Sequence, residues 1–262
     1  MKTNLFGSSE LRRVTQQKKY FSVIEYERDV SVSPDIAQVA YFASEMNVRK
    51  KQLVIQLENN DGVFVQAGEM QMMIGDIEAT TWVKGVGDFM KKAVSSAVTD
   101  ETVVKPHYVG EGILVLEPTY RHIVLEDLEE WPDGIIIEDG MFLACEDSVE
   151  MELSVRKNIS SLILGKEGAI NSAFYGKGIM ALESPVPQDE LIEVDLVENI
   201  IKIDGNMAVA WSPNLKFTVQ KSMGTLIGSA VSKEGFVNVY EGTGRVLIAP
   251  VRSNKGINIP EK

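Results

Sequence analysis

Three segments decide the reading of this chain: YVGEGILVLEP (108–118), FYGKGIMALESP (174–185) and YEGTGRVLIAP (240–250). Each holds Gly-x-Gly with an aromatic residue two positions before it: Tyr108, Phe174 and Tyr240. Each continues into an apolar run that ends at a proline: Pro118, Pro185 and Pro250. Gly110 to Gly176 is 66 residues, and Gly176 to Gly242 is again 66. A second mark precedes each: Asp61-Gly62 before VFVQA, Asp139-Gly140 before MFLAC, and Asp204-Gly205 before NMAVA. From that Gly to the first Gly of Gly-x-Gly is 36 residues in the second copy, 37 in the third and 48 in the first. The first copy therefore carries about a dozen extra residues, placed near 85–104. Equal residue types at equal offsets mark one supersecondary unit used three times. The chain divides accordingly into 1–118, with an N-terminal extension and the insertion, 119–185, and 186–262.

Asp-Gly between apolar runs predicts a hairpin, because a type I′ turn needs positive φ at both central residues. The runs before it, QLVIQLEN (52–59), GIIIE (134–138) and NIIKI (199–203), are rich in the β-branched and aliphatic residues that strands favour. Val149, Met151, Leu153 and Val155 alternate with polar residues, as do Leu215, Phe217 and Val219. Such period-two alternation predicts strands with one buried face. Gly-x-Gly predicts a tight turn between an incoming and an outgoing strand. Short segments at 88–98, 158–164 and 223–231 read as helical turns or loops, with 88–98 the best helix candidate. Many short strands with regular turn signals predict an all-β sandwich or barrel with little helix. The first 50 residues lack a clear period, and 1–18 read as a polar, mobile arm.

The repeated motifs carry a family resemblance. QAGEM (66–70), GEGILVLEP (110–118), DGMFLACED (139–147), AFYGKGIMALES (173–184), IDGNMAVAW (203–211) and YEGTGRVLIAP (240–250) resemble, in order and spacing, the altered-inheritance-of-mitochondria family. The likeness covers about 50–250. It implies three tandem domains similar to the trp RNA-binding attenuation protein, each a short double-stranded β-helix. It further implies a homotrimer that sets nine such domains in a closed ring. It implies no agreed activity; mitochondrial relatives are linked to inner-membrane organisation, which suggests scaffolding.

The balance of charge narrows the classes of partner. The chain has 262 residues with 26 basic and 38 acidic side chains, a net charge of -12. Affinity for nucleic acid rests largely on Lys and Arg neutralising phosphates, so this balance weighs against DNA or RNA. Residues 121–150 hold ten acids against Arg121 and read as a solvated acidic surface. The basic residues gather at 2–19 and 49–51, with Lys91-Lys92 in the insertion. Cys145 is the single cysteine, so no intrachain disulfide forms, which fits a reducing compartment. The N-terminus shows no apolar signal core and no apolar run approaches the ~20 residues of a membrane span, so a cytoplasmic protein is expected.

Only His107 and His122 could serve as imidazole ligands, fifteen residues apart. With carboxylates they could bind zinc in the manner of a cupin, although a packed strand-face role fits His107, which aligns with Ala173 and Val239. Cys145 aligns with Ala67 and Ala210, a small-residue slot that predicts a buried structural thiol. No G-x-S-x-G occurs, and Gly228-Ser229 lacks the second glycine of that motif. Neither a P-loop nor a third dinucleotide-type glycine is present. The pairs Glu129-Glu130 and Asp189-Glu190 read as surface loops. The methionines Met46, Met70, Met72 and Met73 read as core fillers, or as contact surface if exposed. No catalytic, cofactor or metal residue is assigned. The expectation is a non-enzymatic, ring-forming scaffold. The alternatives are a small-ligand binder with sites between β-domains and, behind it, a metal-dependent cupin-type enzyme.

Overall fold

The computed structural model describes residues 3–7, 9–81, 105–155, 170–205, 207–221 and 236–251. The insertion near 85–104, the helix candidate at 88–98, the segments 158–164 and 223–231, and Gly228-Ser229 lie outside the described residues. What is described is nearly all β, as the periodicity predicts. The strands are β1 (Arg12–Lys18), β2 (Phe21–Tyr26), β3 (Lys51–Val65), β4 (Met70–Thr81), β5 (Pro106–Leu116), β6 (His122–Asp127), β7 (Ile135–Ile137) and β8 (Phe142–Glu146). They continue with β9 (Val149–Val155), β10 (Ile170–Gly176), β11 (Ile179–Ser184), β12 (Ile192–Asp204), β13 (Ala208–Trp211), β14 (Lys216–Lys221) and β15 (Phe236–Ile248). One α-helix, α1 (Ala37–Glu45), stands between β2 and β3.

These strands make two sheets. The first runs β1-β2-β3-β8-β11-β6, with β5 pairing β3 and β4 pairing β5. Gln16 Nε2 on β1 donates to Ile123 O on β6 at 3.0 Å, so the ends of that order meet and the sheet curls on itself. The second runs β12-β15-β13-β7-β10-β9, with β14 also on β15. The chain forms two compact units: residues 1–127, 142–148 and 178–183, and residues 128–141, 149–177 and 184–262. The middle repeated segment is thereby shared, giving β6, β8 and β11 to the first sheet and β7, β9 and β10 to the second.

The first unit buries both faces of its central strands. Phe21, Val23, Leu53, Ile55, Leu114 and Leu116 enter one apolar cluster. Their alternating neighbours Ile24, Val54, Ile113 and Val115 enter another, against which Leu5 and Phe6 pack. Period-two geometry sends successive side chains to opposite faces, so near-continuous apolar runs are what a doubly covered sheet requires. The N-terminal arm is thus a structural cover, contrary to the mobile arm its polarity suggested. In the second unit the core centres on aromatics: Trp211 lies 5.4 Å from Tyr240 and Phe217 5.1 Å from Tyr240, ring centre to ring centre. Tyr108, Phe174 and Tyr240, the three aromatics before Gly-x-Gly, are all buried.

The glycine motifs do different work from the turns they predict. Asp61-Gly62 closes no hairpin; it sits inside β3, just past a register shift between Leu57 and Asp61 where Asn59 takes φ 53°. Asp139-Gly140 makes a turn from β7 to β8, strands of different sheets. Asp204-Gly205 leads from β12 to β13, which flank β15 instead of pairing with each other. At Gly140 and Gly205 the positive φ serves a change of strand partner, whereas at the β3 register shift it is Asn59 that takes it. Gly110-Glu111-Gly112 and Gly242-Thr243-Gly244 likewise lie within the continuous strands β5 and β15; only Gly176-Lys177-Gly178 separates two strands, β10 and β11. In β5 the cause is close approach: a Cβ on Gly110 would lie 2.1 Å from Asp76 O, and one on Gly112 2.2 Å from Ile74 O. A strand lying this near its neighbour's carbonyls leaves room for hydrogen alone.

Helix α1 is short, and no side chain caps its N-terminus. It is fastened by its C-terminal turn: Val48 N donates to Ala43 O, and Arg49 Nε to Ser44 O. Val39, Tyr41, Phe42 and Met46 around it are exposed.

Candidate functional site

Pairing of β1 with β2 and of β2 with β3 brings the two basic stretches of sequence, 2–19 and 49–51, to either side of β2. Register sets Arg13 opposite Glu25 and Glu25 opposite Lys51. Glu25, on β2, is 5% exposed and becomes the hub of an ion cluster. Its Oε1 receives Arg49 Nη1 at 3.1 Å and Arg13 Nη2 at 3.3 Å, and its Oε2 lies 3.6 Å from Lys51 Nζ. Arg49 and Arg13 also hold Glu27, at 2.6 and 2.7 Å. Burial works to raise the Glu25 pKa, but hydrogen bonds from Arg49 and Arg13 and the Lys51 charge outweigh it and hold the carboxyl below its ordinary value. Burial lowers the Lys51 pKa, with Glu25 opposing.

His122, the first residue of β6, stands near this cluster. Burial first, then the Lys51 charge, lowers its pKa to about 4, with Glu25 pulling the other way. The imidazole is therefore neutral in the folded chain at pH 7. The unfolded chain, with an ordinary histidine near 6.5, takes up a proton that the folded chain refuses between pH ~6.5 and ~4. Stability from this group is complete above pH ~6.5 and falls as the pH drops toward ~4. Melting temperature measured from pH 7 to 5 is expected to fall for the native chain and to fall less for His122→Gln. Equal slopes would show that His122 does not contribute.

The second histidine is elsewhere in the first unit. His107 on β5 stacks on Phe64, ring centres 4.6 Å apart, and its Nε2 lies 3.3 Å from Asp147 Oδ2. Gly62 makes that contact possible, since a Cβ there would lie 2.0 Å from Asp147 Oδ2 and 2.8 Å from His107 Nε2. The structure thus gives His107 and His122 separate partners. Among the described residues no group of three His, Cys, Asp or Glu side chains is placed to hold a metal ion.

Beside Asp147, Glu146 on β8 is 7% exposed and fully engaged. It accepts Lys19 Nζ at 3.0 Å and the Ile179 backbone N–H at 2.7 Å, tying β8 to β11. The acidic run 121–150 is therefore not only solvated surface: Glu126 and Glu146 are buried. A strand that pairs on both sides, as β8 does, carries its polar side chains inward wherever a partner cation or N–H waits. Cys145, on the same strand, is fully buried, and burial raises its thiol pKa. It is the inert thiol its small-residue slot predicts. Glu129-Glu130 and Asp189-Glu190 fall on exposed 3-10 turns, and Glu129 faces Lys177 at 3.5 Å.

The sheet edges offer a different kind of surface. β4 pairs only with β5, and β12 only with β15, so each presents a second backbone edge without a strand partner among the described residues. These are long strands, 12 and 13 residues. Met72 and Met73 are exposed on β4, and Ile192, Val197 and Ile200 on β12. With Met46 exposed as well, three of the four methionines expected in the core are surface residues; Met70 alone packs against the apolar cluster. A sequence cannot show whether an apolar strand lies inside a sheet or along its rim.

Curled sheets, a buried ion cluster at strand pairings and two open strand edges describe an all-β protein. The chain belongs to the mitochondrial biogenesis AIM24 family, whose model matches residues 44–251. This bears out the resemblance drawn from the repeated motifs. A crystal structure of a Streptococcus pyogenes protein is similar, with 22% identity, a TM-score of 0.56, and coverage of 92% of this chain and 94% of that one. The likeness extends the fold beyond the family match to nearly the whole chain. No curated protein matches this chain. Among the described residues no helix is long and apolar enough to cross a membrane.

Proposed function

We propose that this protein is a non-enzymatic scaffold that assembles with copies of itself into a closed ring, a homotrimer. The observation that carries this reading is the pair of long strands with an open backbone edge, β4 in the first unit and β12 in the second, each with exposed apolar side chains among its polar ones. An unpaired edge is a template for another strand, and proteins that keep one long and apolar commonly use it. Because the two edges belong to different units, a contact between unlike edges is heterologous and repeats head to tail. Such contacts close into a ring when the rotation per copy divides a full turn. Exposed Met72 and Met73 suit an adaptable contact of this kind. The family's description as a mitochondrial biogenesis family accords with an organising role.

Native mass spectrometry of the purified chain tests this. A mass near three times the 29.0 kDa chain is expected. Met73→Lys together with Val197→Lys is expected to shift it to the monomer while leaving the β circular-dichroism signal intact. A native chain that is monomeric at micromolar concentration would overturn the reading.

A further inference from the structure

Three basic residues that the ion cluster does not absorb meet at one cavity in the first unit. Its volume is about 440 Å3, within the range of small-ligand sites. Arg12, Arg28 and Lys50 line it, against the single acid Asp29. In a chain of net charge -12 that is a local reversal of sign. The β1–β2 pairing creates it by setting Arg12 opposite Tyr26, two residues before Arg28.

Asp29 does not cancel the guanidinium charges, because its own oxygens are occupied. Oδ1 accepts Ser31 Oγ at 2.6 Å and the Ser31 N–H at 3.2 Å; Oδ2 accepts Tyr120 Oη at 2.8 Å and Lys50 Nζ at 3.0 Å. Lys50 in turn lies over the Tyr26 ring, 5.3 Å from its centre. Arg12 gives one Nη to the Asn4 carbonyl, which aims the guanidinium under the N-terminal arm. Ser9 Oγ accepts the Arg12 backbone N–H at 3.2 Å and fixes that arm. The Arg28 guanidinium has no carboxylate partner among the described residues. Leu11, Val30 and Tyr26 supply apolar wall between the charges, and Leu11 and Val30 are 44% and 70% exposed.

Across Leu11 and Arg28 lies a second hollow of about 410 Å3, lined by Glu10, Glu27 and Glu45 with Arg28 and Arg49. Acids outnumber bases there, so an anion is favoured on the Arg12 side. Planar guanidinium forks match the oxygen pairs of phosphate and carboxylate groups, and such charge-assisted bonds are the strong ones.

We infer that the cavity between Arg12, Arg28 and Lys50 is a binding site for a small organic molecule that carries an oxyanion on an apolar body. The oxyanion sits between the two guanidiniums, and the apolar body lies on Leu11, Tyr26 and Val30. This goes beyond the scaffold reading and does not depend on it, since every lining residue belongs to one unit of one chain.

Isothermal titration of the full chain with phenyl phosphate tests the site, with inorganic phosphate, benzoate and phenol as the other arms. One phenyl phosphate or benzoate per chain is expected, with a Kd near or below millimolar. The better of the two probes is expected to bind about tenfold more tightly than inorganic phosphate, because its ring is buried. Phosphate and carboxylate sources are distinguished by which probe is tighter. Phenol is expected not to bind. Arg28→Gln is expected to weaken binding at least about tenfold, whereas Lys216→Gln, on β14 of the second unit, leaves it unchanged. Arg28 is exposed and has no carboxylate partner among the described residues, so its loss is expected to spare the fold, and an unchanged melting temperature verifies that. Failure of both aromatic anions to bind at millimolar concentration would overturn the site. Binding that survives both Arg28→Gln and Arg12→Gln would overturn it equally. Neither result bears on the mass of the assembly, which stands or falls by its own measurement.

Discussion

Gly110→Ala and Gly112→Ala are expected to unfold the first unit or detach β4 from it. In each case the added methyl meets a backbone carbonyl of β4, at 2.1 Å from Asp76 O or 2.2 Å from Ile74 O. Backbone cannot swing aside as the end of a side chain can. The strand must separate over much of its pairing with β5, which runs from Met70 to Thr81. At Gly110 the backbone adds a second obstacle, since φ is 143°. A loss of more than about 3 kcal/mol is expected from either change. Gly140→Ala is the control. It also has positive φ, at 73°, but no atom lies within 4 Å of the added Cβ. That substitution is expected to cost only about 1–2 kcal/mol, the conformational strain alone. Urea midpoints of the three variants decide the matter. If all three fall by the same amount, close approach of β5 to β4 is not why the Gly-x-Gly motif is there.

Glu25→Ala is the second large effect. The change leaves Lys51, with a side chain 7% exposed, and Arg49, at 20%, without the carboxylate that both face. Removing one partner of a buried ion cluster typically costs about 3–5 kcal/mol, because the stranded charge keeps its burial and loses its compensation. Glu27→Ala removes a carboxylate from the same arginines, but one 25% exposed. Its cost is expected near 1 kcal/mol or less, since water reaches that end of the cluster. Chemical denaturation of both variants is the test, and equal losses would deny Glu25 its place as the hub. The acid limb of native stability follows from the same geometry. The folded pKa of Glu25 is depressed, so its contribution is present above the ordinary glutamate value and is lost as the pH falls below it. That window lies lower than the one set by His122.

The all-β class was written in the alternation of Val149, Met151, Leu153 and Val155 and in the β-branched runs before each Asp-Gly, because side-chain period follows from strand geometry alone. The 66-residue period was legible in the residues themselves, but its copies do different work: Gly110-Glu111-Gly112 and Gly242-Thr243-Gly244 lie inside continuous strands, while Gly176-Lys177-Gly178 separates β10 from β11. What Asp-Gly and Gly-x-Gly meant was not legible. A residue that permits positive φ serves a turn, a bulge or a close approach equally well, and only the neighbouring strand decides between them. For Gly112 the deciding neighbour is Ile74, 38 residues earlier. The packing of the N-terminal arm was not legible because Leu5 and Phe6 are isolated in a polar stretch, and an isolated apolar pair has no periodicity. The ion hub is hidden by the same locality. Arg13, Glu25 and Lys51 are ordinary surface residues one by one, and pairing of three strands makes them a cluster. Arg12, Arg28 and Lys50 follow the same logic, so the cavity could be foreseen only as two basic stretches of unknown relation.

The sharing of the middle segment between two units has a consequence for how the chain is born. The first unit is assembled from residues 1–127, 142–148 and 178–183, so its last strand emerges from the ribosome long after its first six. Between residue 127 and residue 183 lie 56 residues of synthesis, roughly three to eleven seconds at about 5–20 residues per second. During that interval the sheet lacks first β8 and then β11, and the flank of β3 meant for β8 is bare. A nascent chain with an open apolar sheet is a substrate for holding chaperones and for mispairing with its neighbours on the same message. For a protein whose copies are proposed to join edge to edge, the order in which edges become available during translation would then help decide which contacts form first.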